Sequence, residues 1–331
     1  MVTITDIAEA LGITPSTVSR ALAGSPRVKE ETRLAVEKAA EQMGYERNVI
    51  ASNLRRGRSD MVGIIVPRVN REFFSNVIGG AESILEEAGY RVLICQTHES
   101  RDSEIKAIRS LRNNRVAAVI MSHAIEDQDG EHIIETLGKE IPLVQFDRVF
   151  HNLPGAKVVG TNFQGAYEAT KHLIDNGYRR IGALAGYMTS DAYANRLDGY
   201  RKALADSGME VDESIIFYDT IVRETGYEAG LKAVDLGCDA LYSSGDFSAL
   251  GAVEAVTDRG LSIPRDFGIV GTANEIFTSL MRPTLSSVGQ YPYEMGQRAA
   301  SAFLSGEGEV ITIPTKLIVR ESSNRNSICQ K

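Results

Sequence analysis

From Met61 onward, short apolar β-branched runs alternate with longer stretches of helical periodicity, and no other feature constrains the fold of this chain as strongly. The strand-like runs include Val62–Val66, Val92–Gln96, Val116–Met121, Leu143–Phe146, Ile181–Ala185, Ala240–Tyr242 and Phe267–Val270. Between them, stretches such as Phe74–Ala88 and Gly165–Asn176 repeat their apolar residues at helical spacing. Strands that are apolar throughout need cover on both faces, and the intervening helices can supply it. The alternation therefore predicts parallel sheets sandwiched between helices. Dehydrogenases, kinases and binding proteins all use that architecture, so it leaves function open.

The motifs that would make such a body an enzyme are missing. No glycine fingerprint for a dinucleotide follows the first strand, and Gly182 and Gly186 are too few and wrongly spaced to form one. There is no Walker loop, no GxSxG elbow and no HExxH. Five scattered histidines and three distant cysteines, Cys95, Cys238 and Cys329, lack metal-ligand spacing, and the thiols read as reduced. No run of about 18 apolar residues is present to span a membrane. Met1 to Asp6 also lacks the basic stretch and apolar core of a signal peptide. The expectation is a cytoplasmic protein with no cofactor, no metal, no membrane partner and no catalytic activity.

A length of 331 residues allows several cores, and residues 3–44 form a separate pattern. Thr3 to Asp6 makes a capping-box-like start, with Ile4, Ala8 and Leu11 on one helical face until Gly12 breaks the helix. Thr14-Pro15 starts a second helix, a hydroxyl cap followed by proline at the first helical position. Val18 and Leu22 give that helix a buried side, and Gly24-Ser25-Pro26 ends it. A longer helix runs from about Glu30 to Met43 and stops at Gly44. Two short helices across a tight turn, braced by a third, form a helix-turn-helix. The outward residues of the second helix are Pro15, Ser16, Ser19 and Arg20. Short side chains there let the backbone approach base edges, and Arg20 can reach guanine O6 and N7. Any small three-helix bundle also carries Ser, Thr and Arg on its wet face, so the pattern alone leaves both readings open.

Net charge is −8, which by itself argues against a nucleic-acid partner. The charge is unevenly placed: residues 1–58 hold nine Lys and Arg against seven Asp and Glu, and the remainder holds 27 against 37. A mildly basic head before an acidic body permits DNA binding by the head. Between them, Asn48 to Leu54 and Arg55-Arg56-Gly57-Arg58 form a short polar, basic linker. Ala51 and Leu54 share a face if that linker becomes helical, although it is too short to hold a helix alone in water.

The runs Thr3-Ile4-Thr5-Asp6-Ile7-Ala8 and Gly12-Ile13-Thr14-Pro15-Ser16-Thr17-Val18-Ser19-Arg20-Ala21-Leu22, with Val28 through Gly44-Tyr45 and then Asn48, resemble the opening of the lactose-repressor (LacI/GalR) family. The resemblance extends over nearly all of the chain. In the body it rests on Phe73-Phe74 with Gly80 and Glu82, Phe146-Asp147-Arg148, Gly177 to Gly182, Arg196 to Tyr200, Gly245-Asp246 with Leu250-Gly251-Ala252, and Gln290 with Gly296. It implies an N-terminal all-α helix-turn-helix domain plus an α/β periplasmic-binding-protein-like sensor of two doubly wound subdomains. The implied boundaries are 1–46 for the DNA-binding domain, 47–58 for a hinge helix or linker, and 59–331 for ligand binding and dimerisation. Within the last, one subdomain takes about 61–160 plus 290–318 and the other about 161–289 plus 319–325.

The resemblance further implies that Pro15, Ser16 and Arg20 read bases, while Thr3, Thr17, Ser19 and Thr32 hold phosphates. Asn48, Ala51, Leu54 and Arg55 would belong to the hinge, with Leu54 wedging between base steps in the minor groove. Arg47 departs from the proline usual before that Asn. In the sensor the implied ligand contacts are Phe73, Phe74, Ser122, Asp147, Asn162, Ser190, Arg196, Asp246 and Asn274. Phe73 serves equally well as part of a core pair, and Asp246 as a helix cap. At Gly271-Thr272-Ala273-Asn274 the acidic residue usual in the family is Ala273. With Arg196 retained, this shifts the expected effector towards an anionic sugar, with Asn274 or Glu275 as stand-in acceptors.

The implied partners are double-stranded operator DNA, a sugar or sugar derivative, and a second copy of the chain. Ser322 to Lys331 lacks leucine heptads, so no coiled-coil tetramer is expected. The expected role is a ligand-responsive regulator, a repressor of carbohydrate-related genes, nucleoid-associated when on its operator. A solute-binding protein and a sugar-modifying α/β enzyme are the alternatives for the body: the first would need a signal peptide and have no use for residues 1–58, and the second would show turnover that survives their deletion.

Overall fold

The computed structural model describes residues 2–22, 24–45, 59–126 and 129–325, and the chain divides into two compact units, residues 1–59 and 60–331. The first contains α1 (Ile4–Leu11), α2 (Pro15–Leu22) and α3 (Glu30–Gln42). The expected capping box is present: Thr3 N donates to Asp6 Oδ2 at 2.7 Å, and Asp6 N donates to Thr3 Oγ1 at 3.3 Å. Gly12 ends α1 at φ 65°, a left-handed conformation that glycine adopts without steric cost. Thr14 starts α2, its Oγ1 accepting from Thr17 N at 3.3 Å. Ile7, Ala8, Val18, Ala21, Val36 and Ala40 meet in a small core, with Ile4, Leu11, Ile13 and Leu22 packed at its margin.

The second unit holds two lobes. The first lobe runs β1 (Met61–Val66), α4 (Glu72–Glu87), β2 (Arg91–Gln96), α5 (Arg101–Asn113), β3 (Ala118–Met121), α6 (Glu131–Leu137), β4 (Leu143–Phe146) and β5 (Ala156–Gly160). The second lobe runs α7 (Asn162–Asp175), β6 (Ile181–Leu184), α8 (Asp191–Asp206), β7 (Ile216–Phe217), α9 (Arg223–Asp235), β8 (Ala240–Ser243), α10 (Asp246–Asp258), β9 (Gly268–Ala273) and β10 (Ser286–Gly289). The chain then returns through α11 (Pro292–Ser305) and β11 (Val310–Ile313), and ends its sheet structure at β12 (Lys316–Ile318).

The sheet orders are β11-β5-β4-β3-β1-β2 and β12-β10-β9-β8-β6-β7. Every pairing is parallel except β10 with β12. This corrects the expected subdomain limits. The resemblance implies that residues 316–318 belong to the first lobe, but they pair antiparallel with β10 in the second, Ser287 opposite Ile318 and Gly289 opposite Lys316. The return segment therefore ends at Ile313, which pairs with Gly160.

The chain crosses between lobes three times, and two of the crossings are laced together. Thr315 N donates to Thr161 Oγ1 at 2.8 Å, and Thr315 Oγ1 donates to Thr161 O at 3.1 Å. In the first lobe, α4 and α11 pack at backbone distance through Gly80 and Gly296. A Cβ at Gly80 would stand 2.0 Å from Tyr293 O, and one at Gly296 would stand 2.0 Å from Val77 O. Among the described residues no helix is long and apolar enough to cross a membrane.

Candidate functional site

The head presents α2. Pro15, Ser16 and Arg20 are exposed, Ser16 and Arg20 one turn apart on one face, while Thr17 and Ser19 are half-buried beside them. Among the described residues Arg20 makes no side-chain hydrogen bond or ion pair, so its guanidinium edge can meet an external acceptor. Thr3 is exposed at the start of α1 and Thr32 half-buried in the first turn of α3. Ser16 and Thr17 share Thr14 Oγ1, each at 2.9 Å, which holds the start of α2 in place. Asn48, Ala51, Leu54 and Arg55, the expected hinge contacts, lie outside the described residues, as does Arg47.

In the second unit a cleft of about 290 Å³ opens where the strands of both sheets end. This is the carboxyl-end crevice where open α/β sheets bind ligands, and its volume lies at the low end of the roughly 300–1,000 Å³ common for small-molecule sites. The first lobe contributes Arg68, Arg71, Phe73, Phe74, Glu99, Asp147 and Arg148. The second contributes Tyr187, Tyr193, Arg196, Asp219, Ser244, Asp246, Phe247, Thr272, Ala273 and Glu275, and Gln290 sits at the crossing between them.

Of the nine expected ligand contacts, Phe73, Phe74, Asp147, Arg196 and Asp246 line the cleft. Phe73 and Phe74 meet edge to face at 5.2 Å and also belong to the core of the first lobe, so they are both wall and packing. Asp147 follows β4 at φ 60°, a conformation rare for non-glycine residues and often retained at sites of function. Burial raises its pKa, opposed by Arg196 and Arg148. Among the described residues its carboxylate has no hydrogen-bond donor, which leaves it to accept from a ligand.

Arg196 faces the cleft but is partly committed. Its Nε donates to Asn162 Oδ1 and its Nη1 to Ser244 O, both at 2.9 Å, and its guanidinium lies 5.2 Å from the Tyr193 ring centre. Asn162 thus stands behind Arg196 rather than in the cleft. Asp246 is committed as well: Ser287 Oγ donates to its Oδ1 at 2.7 Å and Glu275 N to its Oδ2 at 2.9 Å. Burial pushes its pKa up to about 6. Gly271 makes that placement possible, since a Cβ there would fall 2.1 Å from Asp246 Oδ1.

The remaining three expected contacts do not line the cleft. Asn274 turns away, its Oδ1 accepting from Arg320 Nη2 at 2.7 Å. Ser122 and Ser190 are buried to the side, and neither hydroxyl has a hydrogen-bond partner among the described residues. The alternative acceptor Glu275 does line the cleft.

Sequence reasoning passed over several wall residues. Arg148 follows Asp147 directly in the Phe146-Asp147-Arg148 run, and its Nη1 donates to Glu99 Oε2 at 2.7 Å. Tyr193 lies one helical turn before Arg196. Arg71 immediately precedes the Glu72-Phe73-Phe74 start of α4, and its guanidinium stacks 3.8 Å from the centre of the Phe247 ring. That contact spans the lobes, as do Ile276 N donating to Glu72 Oε2 at 2.6 Å and Thr189 Oγ1 donating to Ile125 O at 3.3 Å. Glu275 is pushed up to about 7 by burial and by the adjacent Glu72 carboxyl. Four guanidiniums, five carboxyls and a set of aromatic faces make a wall suited to a hydroxyl-rich, polar small molecule.

Comparison with known proteins agrees with this division. Residues 3–48 match the family described as "Bacterial regulatory proteins, lacI family", and residues 59–321 that described as "Periplasmic binding proteins and sugar binding domain of LacI family". The chain is 31% identical to the HTH-type transcriptional regulator DegA of Bacillus subtilis (strain 168), over 97% of this chain and 98% of that protein. The transcriptional regulator CelR in complex with cellobiose is 27% identical with a TM-score of 0.73, covering 97% of this chain and 100% of CelR. The lac repressor dimer bound to operator and an anti-inducer shares the fold at a TM-score of 0.86 and 23% identity, covering 97% of this chain and 99% of that one.

Proposed function

Because the chain belongs to the LacI family of bacterial regulatory proteins, and is a DNA-binding transcriptional regulator with a sugar-binding domain rather than an enzyme, we propose that it represses carbohydrate-related genes as a dimer on a near-palindromic operator. A sugar or sugar derivative in the cleft sets its affinity for that operator. Two heads related by a two-fold axis fit two half-sites, which is the reason for a dimer and a palindrome. In this reading Pro15, Ser16 and Arg20 read bases, Thr3, Thr17, Ser19 and Thr32 hold phosphates, and the hinge at 47–58 carries Leu54 into the minor groove. Phe74 and Tyr193 stack on the sugar, and Asp147 and Arg196 bind its hydroxyls. The relative CelR, solved with cellobiose, supports a carbohydrate as the effector class.

One observation carries the proposal: the lobes touch through side chains of the cleft wall itself, Arg71 on Phe247 above all. A ligand placed there bears on the closure of the lobes, and a ligand shifts an equilibrium only through such differential contact. Coupling of about 1–3 kcal/mol would change operator affinity some 5- to 150-fold. The test is to select duplexes from a random library with the purified protein, then screen carbohydrates by thermal shift. Enrichment of a two-fold symmetric sequence, with a carbohydrate that raises Tm, is the expected result. A library that stays random after selection would remove the proposal.

A further inference from the structure

Four arginines face the cleft, and they differ in what they already hold. Arg148 is engaged by Glu99, and Arg196 by Asn162 and Ser244. The side chains of Arg71 and Arg68 make no hydrogen bond or ion pair among the described residues. We infer that Arg71, with Arg68 beside it, is the anion-binding subsite of the cleft, so that the effector is a carbohydrate carrying a carboxylate or phosphate group. This inference rests on the sugar-sensing reading above and specifies the substrate class of the same site.

Arg71 is half-buried, and burial pulls its pKa down. Phe247 covers one face of the guanidinium at 3.8 Å, but a ring face cannot satisfy the N–H donors along the edge. A partly desolvated charge without an acceptor is costly, and a second guanidinium nearby adds repulsion. An anion between the two relieves both. The carboxyls close to Arg71 serve poorly as counter-ions. Glu72 Oε2 is taken by Ile276 N, and Glu275, beside Glu72, is pushed up to about 7 and so carries only part of a charge near neutrality. Asp246, further along, is occupied by Ser287 and the Glu275 amide.

A second observation is independent of the arginines. Gln290 is 3% exposed in the cleft wall, and its side-chain nitrogen has no acceptor among the described residues. It is a buried donor left unanswered in the residue that lines the cleft beside the lobe crossing. At Ala273, where the family resemblance leads one to expect Asp, the wall also lacks a carboxylate that would oppose an anion.

The experiment is isothermal titration at pH 7 of the full chain with matched neutral, carboxylated and phosphorylated sugars: glucose, glucuronate and glucose 6-phosphate, the corresponding galactose series, and cellobiose with its acid and phosphate. At least one acidic member should bind about 10- to 100-fold more tightly than its neutral parent, the range for hydrogen bonds to a charged group. Whether carboxylate or phosphate leads names the source of the charge. Arg71→Gln should erase the preference, so that within the variant acidic and neutral members bind alike, and Arg71→Lys should restore part of it as a point charge without the fork. Glu275→Gln should remove a loss of acidic-sugar affinity seen in the parent protein as pH rises through about 7. A preference that survives Arg71→Gln in a protein of unchanged Tm overturns the inference. A neutral sugar that binds as tightly as its acidic forms and still alters operator affinity overturns it but leaves the regulatory reading standing. Failure of every sugar to bind counts against both.

Discussion

Asp147, Arg196 and Arg71 reach the same cleft by different routes, the first two from the end of a strand and the face of a helix, the third by stacking on a ring of the opposite lobe. Asp147 ends a buried strand, and strand ends are where ligands meet α/β sheets, so its chemistry and its position in sequence point the same way. The significance of Arg71 depends on Phe247, a residue of the other lobe, and no local pattern reports that contact. The same limit explains Asn274: as an amide in a loop it reads as a ligand group, yet Arg320 from the end of the chain claims it. Two predictions belong at this scale. Arg20→Ala should cost about 1–3 kcal/mol at one operator base pair and relax specificity there alone; a uniform loss across substituted operators would reassign Arg20 to phosphate contact. The second concerns Glu275, faced by Glu72, Arg71 and Asp246, whose pKa rises from 4.5 to about 7 on folding. A carboxyl raised in this way favours the folded state most below 4.5, and that contribution is lost as pH climbs through about 7. Glu275→Gln should therefore gain in Tm relative to the parent between about pH 5 and about pH 8, and parallel Tm curves would show that Glu275 carries no such linkage.

The elements of the head were legible because local chemistry sets their ends. The Thr3–Asp6 box, the Gly12 stop and the Thr14-Pro15 start all formed where their side chains and dihedrals require. Long apolar strands were equally legible. Short strands such as β7 and β12, with two and three residues, carry no periodicity, and only pairing with a neighbour defines them. The misplacement of residues 316–318 follows from that: the stretch has too few side chains to show which sheet it joins. Between α4 and α11 the contact is backbone against backbone, so Gly296→Ala should destabilise the sensor by about 1–3 kcal/mol through overpacking against Val77 O. Urea unfolding of the variant measures it, and an unchanged midpoint would mean that the two helices separate without cost.

On the scale of the whole molecule, the alternation of strand and helix foretold two wound sheets, and the basic head before an acidic body was compatible with a DNA partner. Neither told how the two lobes would meet. The two lobes meet through contacts between residues remote in sequence, Glu72 with Ile276 and Arg71 with Phe247, made across a cleft whose walls come from both lobes. The central claim is that filling this cleft changes the affinity of the protein for DNA. Fluorescence anisotropy of a labelled selected operator, titrated with the full chain at constant salt with and without saturating effector, tests it most directly. The account predicts midpoints that differ between about 5- and 150-fold, with the difference abolished in Asp147→Ala. Coincident curves, from a protein shown by calorimetry to be saturated with its ligand, would contradict it.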